Sequence, residues 1–176
     1  MKVLHAFVQD VTEPAAERPA LIPASHFAGR SAFRSFAMSP DGTRLAVLRD
    51  RAGKPEIVLL DAATRAVLKV FPAQDDQSIN WFEWAGNSKL LISVSFPGKY
   101  YGYQVRASRL LVRDLDSSQA WILPVARDAL WGGDLVHMAE DGSEALVAVR
   151  DYVSADPAVY RYVLVPEAKP EKVVKP

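Results

Sequence analysis

Between residues 35 and 70 the chain alternates short apolar runs with polar stretches rich in turn formers. Strands are expected at residues 35–38, 44–48, 56–61 and 66–70. The first two are joined by Ser39-Pro40-Asp41-Gly42, in which proline presets φ and glycine accepts a positive φ at little cost. The other two connections, 49–55 and 61–65, are polar and short enough for antiparallel hairpins. The expected unit is a four-stranded meander.

The pattern returns twice. A second set of strands is expected at 79–84, 89–94, 108–114 and 120–124, with its first turn at Ala85-Gly86-Asn87-Ser88 and an enlarged connection over 96–104. A third set is expected at 134–138, 143–149, 158–164 and 172–174, turning first at Ala139-Glu140-Asp141-Gly142. Asp41, Asn87 and Asp141 are 46 and 54 residues apart, near the roughly 40–50 residues of a propeller blade. The run Leu45-Ala46-Val47-Leu48 is apolar on successive residues, as expected where both faces of a small sheet are covered. The predicted fold is therefore all-β: a partial β-propeller of three four-stranded antiparallel blades at 34–72, 78–125 and 132–175. A leader and lead-in occupy 1–33. Pro14, Pro19 and scattered charges give the leader no sustained period, and 21–29 is expected to run extended into one helical turn capped by Ser25 and stopped by Gly29.

Composition narrows the function classes. A chain of 176 residues with 49% hydrophobic and 24% charged residues has enough apolar material for one sizeable core. Lysine plus arginine and aspartate plus glutamate are 21 each, giving zero formal charge; the basic excess of a phosphate-binding protein is missing, which argues against nucleic acid. With no cysteine, disulfides, thiolate zinc sites and a cysteine nucleophile are excluded together. No run approaches the about eighteen apolar residues of a membrane-spanning helix, and the start Met1-Lys2-Val3-Leu4-His5 gives no convincing secretion signal.

The sequence from Ser39-Pro40-Asp41-Gly42-Thr43-Arg44-Leu45-Ala46 through Ile57-Val58-Leu59-Leu60-Asp61 to Trp84-Ala85-Gly86-Asn87-Ser88-Lys89-Leu90-Leu91 resembles the WD40-like propeller repeats in the N-terminal half of prolyl oligopeptidase family serine peptidases. The lead-in Ile22-Pro23-Ala24-Ser25-His26-Phe27 is similar to the segment before the first blade in bacterial dipeptidyl and acylaminoacyl peptidases. The resemblance covers residues 21 to 125 well and the third repeat weakly. It implies a bacterial protein, periplasmic or cytoplasmic, whose propeller gates peptide access to an α/β-hydrolase domain. That domain, or the peptide substrate, is the implied partner. The Tol-system propeller also carries Ser-Pro-Asp-Gly, which keeps a free-standing protein-binding module as the alternative.

Catalytic chemistry finds no support in these residues. No Gly-x-Ser-x-Gly elbow is present, and no βαβ pattern could build a hydrolase sheet; no catalytic residue, metal ligand or cofactor site is expected. His5, His26 and His137 are far apart in the sequence and have no partner at metal or triad spacing. Asp114-Leu115-Asp116-Ser117-Ser118 lacks the glycine and distal glutamate of a calcium loop and reads as a turn. Asp75-Asp76 reads as a solvated loop. Of Trp81, Phe82 and Trp84, at least two are expected between blades, and Trp131-Gly132-Gly133 is expected at a blade-to-blade crossing that needs close backbone approach. The candidate contact residues are Tyr100, Tyr101 and Tyr103, which offer apolar area with polar tips beside Gly98 and Gly102. Three blades in an open arc would leave apolar outer faces, so self-association is a further expectation.

Overall fold

A computed structural model describes residues 33–125, 130–150 and 157–174; the expected lead-in turn with Ser25 and Gly29, and also His5 and His26, lie outside them. The twelve described strands form three separate four-stranded antiparallel meanders. The first contains β1 (Phe33–Met38), β2 (Arg44–Arg51), β3 (Lys54–Asp61) and β4 (Val67–Pro72). The second contains β5 (Ser78–Ala85), β6 (Lys89–Tyr100), β7 (Tyr103–Asp114) and β8 (Ala120–Ile122). The third contains β9 (Asp134–Met138), β10 (Glu144–Val149), β11 (Ala158–Val163) and β12 (Glu171–Val174). None of the described residues lies in a helix, so none forms a helix long and apolar enough to cross a membrane.

Each sheet is a blade that packs face to face on the next. Ala46, Leu48, Ile57 and Leu59 of the first blade meet Ile79, Phe82, Trp84, Leu90 and Ile92 of the second in one apolar cluster. Leu91, Leu110 and Val112 on the opposite face of the second blade meet Ala145, Val147 and Tyr162 of the third. The continuous apolar run Leu90-Leu91-Ile92 thereby supplies both interfaces from one strand. Leu48, Ile57, Leu90 and Leu91 are among the side chains less than 2% exposed, and each such burial contributes about 1.5–3 kcal/mol. Phe82 and Trp84 fall in the first interface and Trp81 packs against the second, in keeping with the expectation that at least two of the three lie between blades. Trp84 also donates its indole N–H to the Ala37 carbonyl at 3.0 Å, bonding the two blades.

The three repeat turns stack on one another along one rim. Within the first, Gly42 N–H donates to the Ser39 carbonyl at 2.8 Å and Ser39 N–H to the Arg44 carbonyl at 2.8 Å. Asp41 N–H then donates across to the Asn87 side-chain oxygen of the second turn at 2.9 Å. The second and third turns touch backbone to backbone: a Cβ on Gly142 would lie 2.1 Å from the Ala85 carbonyl carbon, and one on Gly86 would lie 2.5 Å from the Asp141 carbonyl oxygen. The sequence equivalence of Asp41, Asn87 and Asp141 is thus also a spatial one. The positive φ moves within the second turn, however, falling on Gly86 rather than on Ser88, the counterpart of Gly42.

Two connections differ from expectation. The expected linker 49–55 is mostly strand, closed by Ala52 (φ 50°) and Gly53 (φ 80°). The expected loop 96–104 is a continuation of β6 and β7, closed by Tyr101 (φ 46°) and Gly102 (φ 84°). Two successive positive φ values make the tight turn whose twist matches paired strands. The flanking tyrosines and Val105 favour a pleated conformation more strongly than Pro97 and Gly98 disfavour it.

Candidate functional site

Two features at the rim opposite the stacked turns carry side chains suited to recognition. The first is the ribbon made by the far ends of β6 and β7. β5 pairs with β6 only as far as Ser95, so residues 96–100 and 103–107 form a two-stranded extension. The period of two sorts its faces: Phe96, Gly98, Tyr100, Tyr103, Val105 and Ala107 share one, while Pro97, Lys99, Gln104 and Arg106 share the other. Tyr101 is 83% exposed and Tyr103 74% exposed. Tyr100 and Tyr101 pack edge to face with centroids 4.5 Å apart. The three tyrosines named from the sequence are therefore together at a ribbon tip rather than in an irregular loop.

The second feature is a cavity of about 430 Å³ between the second and third blades, lined by Asn80, Trp81, Ser93, Ser108, Trp131, Asp134 and Arg150 among others. Its polar wall begins with a β-bulge: the register of β5 on β6 shifts between Ile79 and Trp81, which re-aims Asn80. Asn80 donates to the Ser93 hydroxyl at 3.1 Å and accepts from the Ser95 hydroxyl at 3.0 Å. Arg106 donates to Ser95 at 3.2 Å. Ser93 and Ser95 are buried, and these bonds satisfy polar groups that would otherwise be costly at an interface.

The facing wall is held by the glycine pair. A Cβ on Gly132 would lie 2.7 Å from the Arg109 Cα, and one on Gly133 (φ 97°) would lie 2.7 Å from the Ala148 carbonyl oxygen. Only glycine lets this crossing lie so close to both blades, as expected for Trp131-Gly132-Gly133. Gly132 N–H donates to the Ser108 hydroxyl at 3.1 Å, and Trp131 remains 48% exposed at the cavity. Sequence reading missed this site because its residues come from separate blades. The available signal was Ser93 and Ser95 interrupting the apolar run of β6.

The other titratable groups have structural surroundings. Asp114 Oδ1 accepts from the Asp116 and Ser117 N–H groups at 2.9 and 2.8 Å, the turn expected there, and the Ser117 backbone bond is the main cause of its lowered pKa. Asp75 pairs with Lys54 at 2.6 Å on the surface. His137 lies exposed in β9. Among the described residues no cluster of histidine and carboxylate side chains is arranged to hold a metal.

No protein family matches the sequence, and no curated protein is similar to it in sequence. Solved structures share its fold. The acylaminoacyl peptidase of Pyrococcus horikoshii superposes with a TM-score of 0.60 at 16% identity, over 83% of this chain and 25% of the peptidase. An acylaminoacyl peptidase in complex with Z-Gly-Gly-Phe-chloromethyl ketone superposes at 0.55 and 17% identity over the same shares. The fold is that of a partial β-propeller. Hydrazine synthase of Kuenenia stuttgartiensis is similar too, with a TM-score of 0.52 and 16% identity over 73% of this chain and 39% of the enzyme. The chain thus spans between a quarter and two fifths of these proteins. Proteins named for peptidase and hydrazine synthase activities both contain the arrangement, so function has to be argued from sites rather than from the fold.

Proposed function

We propose that this chain is a non-catalytic propeller segment of a prolyl oligopeptidase family serine peptidase, shaping peptide access to an α/β-hydrolase domain outside these 176 residues. The observation that carries this reading is the superposition of 83% of the chain on a quarter of an acylaminoacyl peptidase, together with the Ser39-Pro40-Asp41-Gly42 turn and its two counterparts stacked at one rim. The side chains agree with it. The blades spend their buried residues on packing against each other. The exposed tyrosines of the ribbon supply a contact surface for the hydrolase domain or for the peptide.

The genomic sequence beyond the codon for Pro176 tests this. A hydrolase sequence carrying Gly-x-Ser-x-Gly is the expected finding, and an unrelated reading frame refutes it. Hydrolysis of an alanine or proline peptide ester by the isolated chain, abolished by a serine-directed inhibitor, would refute the non-catalytic role.

The tyrosine ribbon favours one other reading, a free-standing propeller that binds a protein partner. Exposed tyrosines bury large area at small entropic cost, and this function needs no hydrolase. Under either reading the exposed β1 and β4 flanks of the first blade's outer face, on either side of the buried Val47 and Val58, are a docking surface for a further blade or a second copy. Phe36, Met38, Val67 and Val70 are all at least 40% exposed there.

A further inference from the structure

We propose that the cavity between the second and third blades is a carbohydrate site, taking a neutral mono- or disaccharide. This goes beyond the propeller reading and does not depend on it.

The two blade interfaces differ in chemistry. The first is packed with aliphatic and aromatic side chains from Ile79 to Val94, and the cavity of about 520 Å³ along it is lined mainly by apolar residues such as Ile57, Phe71, Ile92 and Val94. The second is equally apolar around Leu91 and Val112, but toward the far rim it opens into about 430 Å³ with hydroxyl and amide groups on its wall, within the range of about 300–1,000 Å³ for small-ligand sites. Ser93 is 5% exposed and accepts from Asn80, so its own hydroxyl proton is available for donation into the cavity. A space walled this way suits a polar occupant.

The side chains then select the class. Asp134 and Arg150 contribute one negative and one positive group, which cancel and disfavour a phosphate or any other strongly charged ligand. Planar carboxylate, guanidinium and amide groups match vicinal hydroxyls, because each offers two bonds in a fixed fork. Trp81 and Trp131 add two indoles, whose faces cover the C–H faces of a sugar ring. The glycine pair beside Trp131 is wedged against the backbones of Arg109 and Ala148. That indole is therefore carried on a stiff support and loses little freedom when a ligand arrives.

The test is an NMR titration of the full 176-residue chain, following its four indole N–H signals, each assigned by a Trp→Phe variant. The probes are methyl glucoside, N-acetylglucosamine, maltose and cellobiose, with the zwitterions Gly-Phe and Ala-Ala as competitors. Trp84 is buried between the first two blades and Trp121 does not line the cavity, so both are internal controls. At least one saccharide is expected to shift the Trp81 and Trp131 signals saturably, with a Kd on the order of 1 mM. Trp131→Ala should weaken that binding at least tenfold, while Trp131→Phe and Tyr101→Ala should hold it within about threefold. Trp131 is half exposed, so the alanine variant is expected to fold, which its unchanged Trp84 signal checks. The proposal is overturned if only the dipeptides shift these two signals, which marks a peptide site. It is also overturned if all four signals drift together without saturation, or if no saccharide moves them at tens of millimolar.

Discussion

Replacing Gly142 by alanine isolates the contact between the second and third repeat turns. Gly142 has φ 68° and Gly53 has φ 80°, so alanine at either position must adopt a left-handed conformation, at about 1–2 kcal/mol. Their surroundings differ. A Cβ at Gly53 meets nothing within 4 Å, whereas one at Gly142 would lie 2.1, 2.3 and 2.3 Å from the Ala85 carbonyl carbon, its oxygen and the Gly86 nitrogen. These are backbone atoms of the adjoining blade and cannot rotate away. The blades must separate locally, and forced overpacking of this kind costs about 1–3 kcal/mol. Gly53→Ala should thus lose about 1–2 kcal/mol and Gly142→Ala about 2–5 kcal/mol, against a total near 5–15 kcal/mol for an ordinary domain. Urea unfolding followed by tryptophan fluorescence measures both, with an unchanged m-value showing that the denatured state is unaltered. Equal losses, within about 0.5 kcal/mol, would refute the stacked turns.

Trp84→Phe removes the donor to the Ala37 carbonyl and should cost about 1–3 kcal/mol in the same urea assay; a neutral effect means that the first two blades are not joined there. Acid should destabilise the fold through its turn carboxylates. Asp41 and Asp141 are lowered chiefly by the hydroxyls of Ser39 and Ser143, and Asp61 by the Thr64 N–H. Each binds its proton more weakly when folded, so the stabilisation is whole above about pH 4 and is lost as pH falls through the folded-state values. Thermal melts that stay flat below pH 4 refute this. At the alkaline end, burial and the neighbouring Tyr160 push Tyr162 up to about 12, while its hydroxyl donates to the Pro124 carbonyl at 2.9 Å. Its stabilisation is present below pH 10 and disappears as pH rises through about 12; phenolate absorbance compared with Tyr162→Phe reports that step. Light scattering should show self-association of the isolated chain, and a stable monomer that binds no hydrophobic dye speaks against it.

The parts legible in the sequence are those set by neighbouring residues. Ser39-Pro40-Asp41-Gly42 specifies its turn within four residues, and Leu45-Ala46-Val47-Leu48 shows two covered faces in one strand. The tyrosine ribbon was harder to read because Pro97 and Gly98 punctuate it like a loop, while the pairing that overrides them, Gly98 with Val105 and Lys99 with Gln104, becomes apparent only once the Tyr101-Gly102 turn is known. The cavity was hidden for a different reason. Asn80 and Arg150 are brought to one space by the stacking of two blades, and no local pattern encodes that stacking.

The unequal repeat length follows from where the blades touch. β6 and β7 have twelve residues each and β2 and β3 eight each, and those eight added residues account for the change in period from 46 to 54. All of them lie away from the rim where Gly86, Asn87 and Gly142 fit against neighbouring turns. The array can therefore grow like a comb, with its spine fixed and its teeth free to lengthen, so that new recognition surfaces arise at one rim without renegotiating the contacts at the other.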